Sequence, residues 1–70
     1  MRLSTRNQLP GTVVAVNHGD AMTTVKVELR GGEIVTSAIT REAADDLGLR
    51  QGSPVTVLIK STDVSLATDD

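Results

Sequence analysis

The 70-residue chain is about half the usual domain length, so it has room for one small domain and no separate regulator. It has no Cys, no Phe, Tyr or Trp, and one His, which removes disulfides, aromatic anchors and an obvious metal as aids to a core that alone supplies only about 3–5 kcal/mol; oligomerisation is the remedy left. Seven basic residues against nine acidic give a net charge of −2, the cations (Arg2, Arg6, Lys26, Arg30, Arg41, Arg50, Lys60) are scattered, and no ring is present for bases or quaternary ammonium groups to stack on, so nucleic acid is not the expected partner.

In chain order, a polar N-terminal segment leads to Pro10-Gly11, which reads as a turn, and then to the β-branched run Thr12-Val13-Val14-Ala15-Val16, a first strand. Asn17-His18-Gly19-Asp20 reads as a second turn. Val25, Val27 and Leu29 alternate with Thr24, Lys26 and Glu28 at the period of two of a half-buried strand. Gly31-Gly32 is a two-residue hairpin signal, because glycine reaches the positive φ of the tight turns that match sheet twist, and a third strand follows from 33 to about 39. The period then changes. Ala43, Ala44 and Leu47 recur at three and four, Thr40 can cap the start, and Gly48-Leu49 has the form of a helix stop, so one helix of about two turns is predicted. Arg41 at its start and Asp45-Asp46 near its end oppose the helix dipole, so docking of Ala44 and Leu47 on the sheet must hold it.

Gln51-Gly52-Ser53-Pro54 is a further turn. Val55, Val57 and Ile59 alternate with Thr56, Leu58 and Lys60 in a fourth strand, and Val64-Ser65-Leu66 supplies a short fifth before the tail Thr68-Asp69-Asp70. The expected class is all-β: a five-stranded OB-fold-like barrel with one short helix between strands 3 and 4, as a single unit over residues 1–70. No apolar run approaches the roughly 20 residues of a membrane span, and Met1-Arg2-Leu3-Ser4-Thr5-Arg6 lacks the apolar stretch of a secretory signal, which points to a cytoplasmic protein with no membrane partner.

Catalysis has little to work with. A nucleophile needs a base within reach, and His18, alone in a turn with no Cys in the chain, belongs to no catalytic motif, so an enzyme is not expected. The adjacent pairs Asp45-Asp46 and Asp69-Asp70 read as solvated surface, and no alternating acidic run makes a hard-cation loop, so no direct metal ligands are nominated. What stands out is a set of donors suited to an anion. Ser4, Arg6 and Asn7 precede the first strand, Thr40 sits at the helix start, and Lys60-Ser61-Thr62 ends the fourth strand. A guanidinium fork, an ammonium and hydroxyls can surround a tetrahedral oxoanion with no chemistry done to it.

These residues carry a family resemblance. Ser4-Thr5-Arg6-Asn7 followed by Gly11-Thr12-Val13 resembles the Ser-x-Arg-Asn opening of the molybdate-binding Mop domain of molbindins, and Ala38-Ile39-Thr40 with Leu47-Gly48-Leu49, then Val57-Leu58-Ile59-Lys60-Ser61-Thr62-Asp63-Val64, resemble its later stretches in order. The resemblance runs from Ser4 to Leu66. It implies a cytoplasmic molbindin: an OB-like subunit assembling into a homohexamer, a trimer of dimers, that stores or buffers molybdate and tungstate between subunits, with the oxoanion as ligand and no organic cofactor. It further implies that Ser4, Arg6, Lys60 and Ser61 hold the oxoanion together with Thr40 of a neighbouring chain. Thr5, Asn7 and Thr62 flank these, Asn7 as a brace of the loop, and His18-Gly19 are candidates to line a second kind of site near the threefold axis. The chain departs from the family pattern at Ser61, where Ala is frequent, and at Ala43, where Ser is frequent; the first adds a donor and the second removes one at the helix start.

The chemistry agrees with that implication. Molybdate is an unprotonated dianion at neutral pH, so a site of donors accepts it, whereas protonated phosphate wants an acceptor; sulfate has the same charge and must be rejected by size. Two other roles compete: an OB-like interaction module for a macromolecular partner, and a molybdate sensor acting through a protein partner.

Overall fold

Four antiparallel strands and one short helix form in the order β1 (Asn7–His18), β2 (Met22–Leu29), β3 (Ile34–Thr40), α1 (Arg41–Leu47) and β4 (Pro54–Ile59), with a 3-10 turn over Ser61–Asp63. The computed structural model describes residues 3–69; Met1, Arg2 and Asp70, named above in the signal reading, the charge pattern and the tail pair, lie outside the described residues. The strands make one curled sheet in the order β3-β2-β1-β4, so β1 and β2 are central and β3 and β4 are both edges.

β1 is more than twice the length of the run that predicted it, because Pro10-Gly11 is strand and not turn. Val13 donates to the Ser53 carbonyl and accepts from the Gly52 N–H, so odd-numbered residues of this stretch aim their backbone groups at β4 and even-numbered ones at β2. Pro10 therefore faces β2 one position past the last paired couple, Gly11 with Leu29, where its missing N–H forfeits no ladder bond. Gly11 is needed for space. A Cβ there would stand 2.7 Å from the Glu28 carbonyl oxygen and 2.7 Å from a Val27 methyl.

A bulge explains the unbroken Val13-Val14-Ala15-Val16 run. Val13 pairs with Val27 and Ala15 with Lys26, leaving Val14 as the extra residue. The inward phase shifts by one across it, so Val13 and Val16 both reach the core beside Val25, Val27, Leu29, Ile39, Leu49, Val55 and Val57. Thr23, fully buried on the same face, has its Oγ1 3.2 Å from His18 Nδ1; His18 is thus the last residue of β1 rather than a turn residue.

The β2–β3 connection differs from the two-residue hairpin expected of Gly31-Gly32. Gly32 donates to the Leu29 carbonyl and Leu29 to that of Glu33, and among the two glycines φ is positive only at Gly32 (+95°), which is a type I turn closed by a bulge residue. The helix forms with the caps expected: Thr40 Oγ1 accepts from the Ala43 N–H at 3.1 Å, and Gly48 adopts φ 63° while its N–H bonds back into the last turn. Docking is narrower than expected, since Ala44 is 1% exposed but Leu47 is 68% exposed. Leu47 sits at the rim of a groove of about 230 Å³, lined by Val25, Val27, Ile39, Leu49, Val55 and Val57, that the described residues leave unfilled.

The fifth strand does not form: residues 64–69 are exposed and irregular, and the sheet has four strands. The chain exposes 5563 Å² where a compact monomer of 7.3 kDa exposes roughly 4,200 Å². Its radius of gyration, 13.1 Å, likewise exceeds the roughly 11 Å of a compact 70-residue domain.

Candidate functional site

The nominated donors fall into two groups at opposite ends of the ladder. The pairing of β1 with β4 ends at Asn7 with Ile59, so Arg6 and Lys60 each lie one residue past it and their backbones emerge side by side. Asn7 Nδ2 donates to the Ile59 carbonyl at 3.0 Å, clamping the two exits together across 52 residues of sequence. Gln8 Nε2 donates to the Thr5 carbonyl at 2.9 Å and so shapes the segment that carries Ser4 and Arg6. After Lys60 the chain tightens into the 3-10 turn, with the Asp63 N–H on the Lys60 carbonyl, which places Ser61 and Thr62 beside the lysine. Ser4, Thr5, Arg6, Asn7, Lys60, Ser61 and Thr62 are thereby collected at one end.

Thr40, His18 and Gly19 are at the other end. β3 runs parallel to β1 two strands away, so its last residue, Thr40, pairs with Met22 beyond the far end of β1. There the Arg41 N–H donates to the Ala21 carbonyl at 2.8 Å and Arg41 Nη1 to the Gly19 carbonyl at 3.4 Å, fastening the β1–β2 turn to the start of α1. Within one chain Thr40 cannot join Arg6 and Lys60. Its hydroxyl is nevertheless free to donate, because the Ala43 N–H occupies only an acceptor position on Oγ1. The Ala in place of the family's frequent Ser thus leaves that helix-start bond in place.

None of these groups is buried, and only Thr5 and Asn7 are even half-buried. An exposed guanidinium or ammonium interacts weakly with an anion at high dielectric and ordinary salt, so the arrangement gains strength only if something excludes water from it. The larger concavity, of about 690 Å³, lies on the outer sheet face between Thr12, Glu28, Arg30 and Thr56, and neither it nor the apolar groove is lined by a nominated residue. Among the described residues no group of three or more His, Asp or Glu could hold a metal ion, and no helix is long and apolar enough to cross a membrane.

Two contributors escaped the sequence reading. Gln8 and Arg41 act through single hydrogen bonds to loop carbonyls, and neither lies in a motif with a recognisable spacing.

Residues 3–66 match the TOBE domain. Molybdenum-pterin-binding protein 3 of Clostridium pasteurianum is 47% identical over 66 residues, covering 94% of this chain and 97% of that protein. The fold superposes with a TM-score of 0.92 on a molybdate-binding protein from Sporomusa ovata, at 32% identity over 97% of this chain and 100% of that one. It also superposes with a TM-score of 0.87 on the cytoplasmic molybdate-binding protein ModG, solved with molybdate bound, at 40% identity over 90% of this chain and 45% of that one.

Proposed function

The chain belongs to the TOBE domain family, among Mop-type relatives that it matches over nearly its whole length, and from that premise we propose that it binds molybdate, and the isosteric tungstate, between subunits of a homo-oligomer that stores or buffers the oxoanion in the cytoplasm. One observation carries the reading: the donors divide into an Arg6 and Lys60 end and a Thr40 end that a single chain holds apart. Head-to-tail contact between copies completes the set and removes the water that weakens each half. Ser4 and Ser61 add hydroxyl donors beside the two cations. The group binds an oxoanion without transforming it, since it offers charge and hydrogen bonds but no activated nucleophile. The second, threefold-axis role of His18 and Gly19 belongs to the same proposal, because they share the Thr40 end.

Calorimetric titration with molybdate, together with the mass in solution, tests this. The expected result is an oligomer that binds molybdate, with Arg6→Ala and Lys60→Ala each weakening affinity about tenfold to a hundredfold, the value of one charge-assisted hydrogen bond, while keeping the fold. A monomer giving no heat with molybdate or tungstate sinks the proposal. Wild-type affinity in both variants removes those two residues from the site.

The self-association has a physical motive. The chain exposes about 1,400 Å² more than a compact monomer, well above the roughly 800 Å² per partner of a standard interface. Among the described residues both sheet edges are unpaired and the apolar groove is unfilled, and Val64 (46% exposed) and Leu66 (92%) follow in an irregular tail. Seated in the groove of a second copy, that tail supplies the fifth strand that the chain does not form alone and closes each subunit toward an OB-like barrel. Repetition of such contacts builds the trimer of dimers. Leu66→Asp should therefore lower the mass measured by light scattering at micromolar protein; an unchanged mass places the interface elsewhere.

A further inference from the structure

The Thr40 end carries a cation that this site does not yet use. Arg41 follows Thr40 directly, and its backbone N–H bond to the Ala21 carbonyl fixes its Cα at the junction of β3 and α1. Among the described residues its one side-chain hydrogen bond is Nη1 to the Gly19 carbonyl, at 3.4 Å near the limit for such a bond. A guanidinium has five N–H donors, so four remain unspent on an exposed side chain. Folding gives no reason for a positive charge here: the first position of a helix favours Asp or Glu, the fastening to Ala21 uses only the backbone, and the bond to Gly19 needs an N–H but not a charge.

We propose that Arg41 is a further oxoanion ligand, delivered with Thr40 by the same copy into the Arg6 and Lys60 end of its neighbour. The proposal rests on the composite site described above. Arg6 and Lys60 already balance the two charges of molybdate. Arg41 adds a planar fork that grips two oxygens of a tetrahedral anion at once, from the side opposite the neighbour's cations, while the Thr40 hydroxyl donates beside it. The long bond to Gly19 is the resting position of the fork, exchanged for the anion when the two ends meet. Because the fork comes from a different subunit than Arg6 and Lys60, it links anion capture to contact between copies.

The test is titration of wild type, Arg41→Ala, Arg41→Gln and Arg6→Ala with sodium molybdate at low and high sodium chloride, with the mass of each variant measured alongside. The expected result is about tenfold weaker binding in Arg41→Ala and Arg41→Gln at unchanged mass, with a smaller loss of affinity on adding salt than in wild type, because one cation has left the site. Arg41→Gln keeps an N–H for the Gly19 carbonyl, so it reports on charge if Arg41→Ala loosens the turn. Wild-type affinity and salt response in Arg41→Gln, with Arg6→Ala weakened, overturns the role of Arg41 and leaves the composite site standing. Absence of molybdate binding in the wild type overturns both.

Discussion

Saturating molybdate should raise the melting temperature of the assembled protein by roughly 10–20 °C. A ligand that binds only the folded form and stands at a hundred times its dissociation constant stabilises by about 2.7 kcal/mol, and a domain of this size shifts by about 4–8 °C per kcal/mol. At the proposed inter-subunit site the anion would also relieve a stress that assembly creates. Arg6 and Lys60 leave the β1–β4 ladder side by side. Two like charges at about 4 Å repel by about 1 kcal/mol in bulk water and about 4 kcal/mol at the dielectric of a protein surface, so a partner that excludes water sharpens the repulsion which the dianion then cancels. Since the chain has no Trp or Tyr, the transition is followed by calorimetry or far-ultraviolet circular dichroism. The comparison is with equal sulfate, which carries the same charge in a smaller ion. An equal rise with sulfate would assign the effect to ionic strength, and no rise with molybdate would remove the link between anion and assembly. In Lys60→Ala the rise should shrink.

The helix was legible to its caps because its signals are local: a threonine hydroxyl within reach of an N–H three residues on, and a glycine that alone enters the left-handed region at no cost. β2 and β4 were legible because each keeps one inward phase along its length. β1 was read correctly over residues 12–16 but too short at both ends, for reasons that no local pattern carries. Whether a proline ends a strand depends on which neighbour its nitrogen faces, and Pro10 faces a gap; Asn17 and His18 read locally as turn but pair with Thr24 and Thr23 across β2. Val64-Ser65-Leu66 has the composition of a strand, but a strand needs an edge to pair with, and composition does not say whether that edge belongs to the same molecule.

The candidate donors were legible as chemistry and not as geometry. Arg6 and Lys60 are 54 positions apart, and only the register of β1 against β4 shows that they leave the ladder side by side. Thr40 joins them through resemblance alone, and the topology places it at the far end of the sheet, so the proposed joint site needs a second copy to supply it. Gln8 and Arg41 were invisible because an ordinary exposed polar residue gains significance only from the carbonyl it reaches.

Gly11→Ala should cost about 2–3 kcal/mol, a large share of the roughly 4–10 kcal/mol expected of a chain this size. The new methyl would lie 2.7 Å from the Glu28 carbonyl oxygen and 2.7 Å from a Val27 methyl, with a Leu29 methyl at 3.3 Å. A valine methyl can turn aside, but a backbone oxygen in the β1–β2 ladder cannot move without opening the pairing of Gly11 with Leu29. Gly32 supplies the contrast. It has φ +95° and nothing within 4 Å of a built Cβ, so alanine there is strained in its backbone, by about 1–2 kcal/mol, and meets no obstacle. The two mechanisms predict opposite responses to asparagine, which tolerates positive φ but is larger than alanine. At position 32 asparagine should be milder than alanine, and at position 11 it should be worse. Urea unfolding of the four variants reads this order directly, and Gly11→Asn proving more stable than Gly11→Ala would show that the strands have room between them and that the glycine serves something other than the close approach of β1 to β2.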